Sequence, residues 1–176
     1  MGADWTSGLA ALPVFIGLCF LVALSGAFYR PGAWYERLRK PPWRPPNWVF
    51  APAWSVLYVL IAISGWLVWR DAGWPAAAPA LAIYGVQLLL NAGWSAVFFG
   101  LRRPDWAFLE ISLLWLSIAW TIQAFAPLQP VAAWLLAPYL AWVSFAALLN
   151  FSIWQRNREG TWPGGGSWRR TPHRNP

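Results

Sequence analysis

Histidine, methionine and cysteine are almost missing from this chain, which has one of each in 176 residues. The histidine, His173, lies in a polar tail, and the methionine is Met1. No apolar segment can therefore offer an imidazole or a thioether to a metal. A lone Cys19 excludes an internal disulfide and a cysteine-rich metal site. No glycine-rich phosphate loop stands between a strand and a helix, and no Ser/His/Asp set occurs. Gly164-Gly165-Gly166 sits in the tail with no patterned segment about it and reads as linker. Charge is scarce as well. Only 11% of residues are charged while 59% are hydrophobic, and the mean hydropathy is +0.41, too apolar for an ordinary soluble domain. The length suits one compact membrane domain. A net charge of +7 would suit nucleic acid, but the basic residues sit between apolar spans. Loop charge of a membrane protein accounts for them, so no nucleic-acid partner is expected.

What the chain has in excess is tryptophan, 17 residues, more than membrane anchoring needs. The organising stretch is Arg39 to Trp54, RKPPWRPPNWVFAPAW. Pro41-Pro42 and Pro45-Pro46 cannot donate backbone hydrogen bonds and disfavour helix in the residues before them. A helix can restart only after Pro46, with Asn47 a fair N-cap. A rigid, extended loop carrying Arg39, Lys40 and Arg44 thus feeds a helix, with Trp43, Trp48 and Trp54 at the junction. Such tryptophans serve either as an interfacial belt or as the lid and wall of a site for a large, flat, apolar ligand. As a lid, the loop would order over the site when ligand binds.

Five apolar segments follow from the pattern, at about 9–28, 48–69, 80–99, 106–125 and 131–154, each near the length that crosses a bilayer. Asp4 and the lack of a basic flank before the first argue against a cleaved signal peptide. Between the first two segments, Trp34-Tyr35-Glu36-Arg37-Leu38 reads as an amphipathic surface turn. Gly73 to Pro79 reads as a turn, Gly100 as a helix C-cap, and Asp105 as an N-cap. Residues 1–155 form the membrane domain, and 156–176 read as a basic, disordered tail. With five spans, twelve of the thirteen basic residues fall on one side: Arg30, Arg37, Arg39, Lys40 and Arg44, then Arg102 and Arg103, then Arg156, Arg158, Arg169, Arg170 and Arg174. Only Arg70 falls on the other. That bias places the C-terminus in the cytoplasm and the N-terminus outside, as for a bacterial cytoplasmic membrane protein.

Polar groups inside the spans are costly and so point to function or to helix packing. Gln87, Asn91 and Ser95 recur at four-residue spacing, with Tyr84 and Trp94 near the same face, giving a polar-aromatic stripe. Asn150 carries the same two readings. Glu110, the one acid within a span, is expected to pair with Arg102 or Arg103. Ala92, Ala96 and Gly100 form a small-residue stripe suited to close helix approach, including in a dimer.

Three stretches carry a family resemblance: Trp34-Tyr35 with KPPWRPPNWVFAPAW (40–54), LLLNAGWSAVFFG (88–100) and PYLAWVSFAALLNFSIWQRN (138–157). With five apolar segments and short loops, the chain resembles the tryptophan-rich sensory protein/translocator protein (TspO/MBR) family from Trp5 to about Arg158. The resemblance implies an all-α bundle of five transmembrane helices, commonly a homodimer, that binds porphyrins such as protoporphyrin IX, and synthetic isoquinoline or benzodiazepine ligands. It implies a pocket of Phe50, Ala51, Ala53, Trp54, Asn91, Trp94, Trp106, Trp142 and Ala146, with Tyr58 and Gln87 as further lining residues. The reading is of a membrane sensor or carrier of tetrapyrroles. One alternative is a light-dependent porphyrin-degrading enzyme, with Trp54 and Trp142 as the candidate catalytic residues. The other is a transporter of small amphipathic molecules, for which the chain has few intramembrane charges. No cofactor is required, and the porphyrin is the ligand. Where mammalian relatives carry a sterol motif with a tyrosine, this chain has Phe151, so sterol binding is not expected. Trp faces would stack on the ring and cytoplasmic arginines would meet its propionates. Without His or Met in the spans, the site should read the ring rather than its metal.

Overall fold

The computed structural model describes residues 9–158, and these are helical, with no strand among them. The expectations for the first eight residues and for the tail from residue 159 lie outside the described residues. Helix α1 is Leu12–Phe28, with Pro13 in its first turn. Its buried residues Phe15, Cys19 and Val22 recur at helical spacing, so one stripe faces the bundle while Ile16, Phe20 and Leu21 face outward. Helix α2, Ala33–Arg37, is the amphipathic turn, but it does not lie free on the surface. Trp34, Tyr35 and Leu38 are buried in a cluster with Phe98, Ala107, Leu149 and Ile153, while Glu36 and Arg37 stay exposed. A clasp holds the segment that follows: Asn157 Oδ1 accepts from the Arg39 N–H at 3.1 Å, and Asn157 Nδ2 donates to the Arg39 carbonyl at 3.1 Å.

A 3-10 turn, Asn47–Val49, leads into α3, Phe50–Ser95. Asn47 caps nothing, because its side chain accepts a hydrogen bond from Arg44 instead. The sequence suggested a ten-residue gap between two helices, yet the helix is interrupted at Gly73 alone, with φ 72 and ψ 162. That region is almost closed to residues with a Cβ, so one glycine suffices to turn the chain. Pro75 falls in the first turn of the second arm, where its missing N–H has no helical partner to lose. The arms, residues 50–72 and 74–95, run antiparallel. Tyr58 meets Asn91, Ile61 meets Tyr84, and Gly65 lies so close to Tyr84 that a Cβ there would stand 2.8 Å from its ring.

The second arm ends in a π-helical turn, Ala96–Gly100. Gly100 is not the left-handed cap that the sequence suggested. The extra residue of the π turn shifts the register, and Arg102 takes the positive φ of 56 instead. Gly100 faces Tyr29, whose ring lies 2.9 Å from where a Cβ would stand, so this end of the small-residue stripe is occupied within the chain. Helix α4 is Pro104–Phe125, with Pro104 rather than Asp105 opening it. Arg103 pairs with Asp105 at 2.6 Å, and Glu110 is left with both carboxylate oxygens buried and no partner among the described residues. The expected Glu110 ion pair is therefore not formed, since Asp105 stands two residues from Arg103 and takes it. The last expected helix is two: α5, Pro130–Leu135, and α6, Ala137–Arg156. They part at Leu136 because Pro138 has no N–H for the carbonyl of residue 134.

Among the described residues, three helical stretches are long and apolar enough to cross a membrane: Asn47–Gly100, Pro104–Phe125 and Pro130–Arg156. Helix α1 is apolar but shorter, with 17 residues. Dividing the first stretch at Gly73 and including α1 would give five crossings. The main core joins α1, both arms of α3, α4 and α6 through Phe15, Ile61, Tyr84, Ile118, Phe125 and Tyr139.

Candidate functional site

A cavity of about 450 Å³ lies between α1, the α2 loop, both arms of α3, α4 and α6. That is within the usual range of small-molecule sites, about 300–1,000 Å³. Pro31, Tyr35 and Asn47 border its loop end. Phe50, Ala51, Trp54, Ser55 and Tyr58 form one wall because residues one, four and five apart share a face of the first arm of α3. Ala23 and Gly26 of α1, and Asn91, Trp94 and Ser95 of the second arm, add two more walls. Ile111 and Leu114 enter from α4, and Trp142, Val143, Ala146, Leu149 and Asn150 from α6.

Hydrogen bonds close the floor. Tyr58 OH donates to Asn91 Oδ1 at 2.8 Å, and Asn91 Nδ2 donates to Tyr139 OH at 2.6 Å. This chain joins the two arms of α3 to α6 at one depth, and Tyr139 is completely buried beneath it. Trp54 stacks on Tyr58 with centroids 5.4 Å apart and meets Tyr139 edge-on at 6.2 Å. Opposite, Trp142 packs edge-on against Phe50 at 5.7 Å, and Trp94 stacks on Phe98 at 5.0 Å. Three wall residues keep polar atoms buried and unbonded among the described residues: the indole N–H of Trp94, that of Trp142, and both amide atoms of Asn150. Buried polar groups are normally bonded, so unbonded ones beside a cavity mark where a ligand or water completes the site. Cys19 is turned away from the cavity and lies 3.6 Å from the Tyr84 hydroxyl.

Of the residues singled out in the sequence, the wall contains Phe50, Ala51, Trp54, Tyr58, Asn91, Trp94, Trp142 and Ala146. It does not contain Trp43, Trp48, Ala53, Gln87 or Trp106. Trp43 stands one layer out, edge-on to Phe145 at 5.9 Å, and Phe145 in turn packs on Trp142. Trp48 is 73% exposed on the 3-10 turn, where an interfacial anchor would sit. Ala53 precedes the buried Leu57 by one turn and shares its face, away from the cavity. Gln87 lies a turn below the floor, buried, with no hydrogen-bond partner among the described residues. Trp106 is 56% exposed beneath the Arg103 guanidinium, because Ala107, Ile111 and Leu114 define the inward face of α4.

Sequence reasoning left out Tyr35 and Asn150 from the site. The amphipathic pattern of residues 34–38 marked Tyr35 as one to bury, and Asn150 stood out as an amide in an apolar span. Neither signal fixed which way the side chain turned. At the rim, the Lys40 ammonium stands 4.5 Å over the Tyr35 ring and 3.8 Å from Glu36. Burial pulls the Lys40 pKa below its ordinary range, against the opposite pull of Glu36.

The profile of the TspO/MBR family matches residues 11–155. The chain is 40% identical over 154 residues to the tryptophan-rich protein TspO of Chlorobaculum tepidum, covering 85% of this chain and 97% of that one. It is 38% identical to the tryptophan-rich sensory protein of Cereibacter sphaeroides, covering 89% and 95%. It is 43% identical to the translocator protein of Ovis aries, covering 71% and 75%.

Proposed function

Because this chain belongs to the TspO/MBR family, and is an integral membrane protein, we propose that its cavity binds a porphyrin or a related flat tetrapyrrole. The observation that carries the reading is the wall itself. Trp54, Trp94 and Trp142 come from three different helical segments and border one space. Aromatic faces supply apolar area and stacking to a conjugated plate. Among the described residues the wall offers an iron no His, Cys or Met, and its innermost tyrosine, Tyr58, is committed to Asn91, which favours a site that grips the ring. Five crossings, with the C-terminus in the cytoplasm of a bacterial cell, complete the proposal and put the loop end of the cavity on the cytoplasmic side. The homodimer implied by family resemblance is compatible with the outward apolar faces of α1 and α4.

The test is a paired titration of metal-free protoporphyrin IX and haemin, read by tryptophan fluorescence. Metal-free porphyrin should bind at least as tightly as haemin. Trp54→Ala and Trp142→Ala should each weaken binding by about 1–3 kcal/mol, the cost of a lost stacking partner and its buried area. A much tighter haemin complex with six-coordinate iron would sink the metal-independent site. Unchanged affinity in both variants would remove these tryptophans from it. A second reading, light-dependent porphyrin breakdown, is favoured by two oxidisable indoles, Trp54 and Trp142, facing the same space. New absorption bands that need both light and protein would select it.

A further inference from the structure

We propose that Arg44 is the carboxylate receptor of this cavity, reading an acidic group on the edge of the bound ring. The proposal rests on the porphyrin reading above and names what that reading leaves open, the group that orients the plate. Arg44 is half-buried at the loop end. Its Nη1 is 3.4 Å from the Tyr35 hydroxyl and donates to Asn47 Oδ1. Both partners border the cavity. The guanidinium carbon lies 6.0 Å from the Tyr35 ring centroid. The side chain is thus held in place from two sides, at the edge of the space a ligand would fill.

What Arg44 lacks is an anion. The ion pairs among the described residues are Lys40 with Glu36, Arg70 with Asp71, and Arg103 with Asp105. Glu36, the acid of the neighbouring helix α2, is engaged by Lys40. Arg44 therefore has only neutral partners, and both of its hydrogen bonds leave from Nη1. Nε and Nη2 remain without an acceptor among the described residues. A guanidinium presents its donors as a planar fork that matches a carboxylate in bidentate fashion. Tyr35 and Asn47 fix that fork before ligand arrives, which lowers the ordering cost of binding. Lys40, on the same ring, adds a second positive charge nearby. The wall itself is aromatic, aliphatic, hydroxyl and amide, with no charged side chain, and Arg44 stands just behind Tyr35 and Asn47, so this rim is where an acidic substituent finds a charged partner.

The experiment titrates protoporphyrin IX and its dimethyl ester, which share the ring and differ in the free acids, into wild-type protein, Arg44→Gln and Arg44→Lys. Wild type should favour the diacid by about tenfold, the scale of one charge-assisted hydrogen bond. Arg44→Gln should lose that preference while keeping its affinity for the ester, and Arg44→Lys should recover only part of it. Added salt should weaken the diacid complex and spare the ester complex. Equal wild-type affinity for diacid and ester would overturn the proposal. So would a parallel loss of both ligands in Arg44→Gln, since that would make Arg44 a fastener of the loop. Binding of neither compound by wild type would count against the porphyrin reading itself, and this proposal would fall with it.

Discussion

Leucine in place of Asn91 and leucine in place of Asn150 are the same chemical change at two buried positions, and they should differ sharply in cost. Asn91 is 6% exposed and uses both ends of its amide, one toward Tyr58 and one toward Tyr139. Asn150 is 1% exposed and bonds through neither to another described residue. Interhelical hydrogen bonds in membranes are worth about 0.6 kcal/mol on average and up to about 1.7 kcal/mol. Losing two, and leaving the buried Tyr139 hydroxyl without its amide, gives a loss of about 1–3 kcal/mol for Asn91→Leu. Asn150→Leu breaks no hydrogen bond to a described residue, so its cost should be smaller than that of Asn91→Leu by at least about 1 kcal/mol. The assay is reversible unfolding in mixed micelles titrated with a denaturing detergent, without ligand. Tyr58→Phe supplies the control. It removes one bond alone, and its effect should shrink in the Asn91→Leu background because both belong to one network. A loss in Asn150→Leu as large as in Asn91→Leu would refute the reasoning, by showing that the Asn150 amide has a bound partner in the apo protein.

Four further outcomes are expected. Gly73→Ala should destabilise the protein by about 1–3 kcal/mol, because its backbone sits where a Cβ is strained. Gly85→Ala, mid-helix with nothing within 4 Å of the added methyl, should be stabilising by up to about 1 kcal/mol in the same unfolding titration. Trp106→Ala should leave porphyrin affinity unchanged in the titration that Trp54→Ala weakens, since Trp106 stands outside the wall; an equal loss in the two would move the site. A reporter at the C-terminus should be cytoplasmic and one at the N-terminus external, and both on one side would exclude five crossings.

The helical class was legible because apolar composition and segment length carry it. The inward faces were not: Phe15, Cys19 and Val22 of α1 are buried while the equally apolar Ile16, Phe20 and Leu21 face outward. Breaks were harder to read. Prolines at 75 and 79 looked like the end of one helix and the start of another, yet Gly73 alone turns the chain, and both prolines fit within the second arm. Pro138, which did break a helix, lay inside a run that looked continuous. A proline's effect depends on whether its missing N–H would have met a carbonyl, and that register follows from where the helix starts. The same limit applied to the tryptophans. Trp54 and Trp106 are equally tryptophan-like in sequence, but one shares the face of Tyr58 and the other opposes the face of Ala107. Phase relative to the buried stripe separates them, and residue type does not.

In the stripe Gln87, Asn91, Ser95, helix packing and the shape of the cavity are set by the same residue. Asn91 does pack helices, since its amide ties Tyr58 of one arm to Tyr139 of α6. The same bonds make it the floor of the cavity, because they hold the amide between two tyrosines at one depth. Ser95, one turn toward the loop, stands above that floor and borders the space, with its Oγ 3.8 Å from where a Cβ on Gly26 would lie. Gln87, one turn the other way, is sealed beneath it. One hydrogen-bonded layer therefore sets the depth at which a plate can stop. The ring would rest above Tyr58 and Asn91, with Trp54 and Trp142 beside it. Its edge would then point back toward the loop end, the end at which Tyr35 and Asn47 hold Arg44.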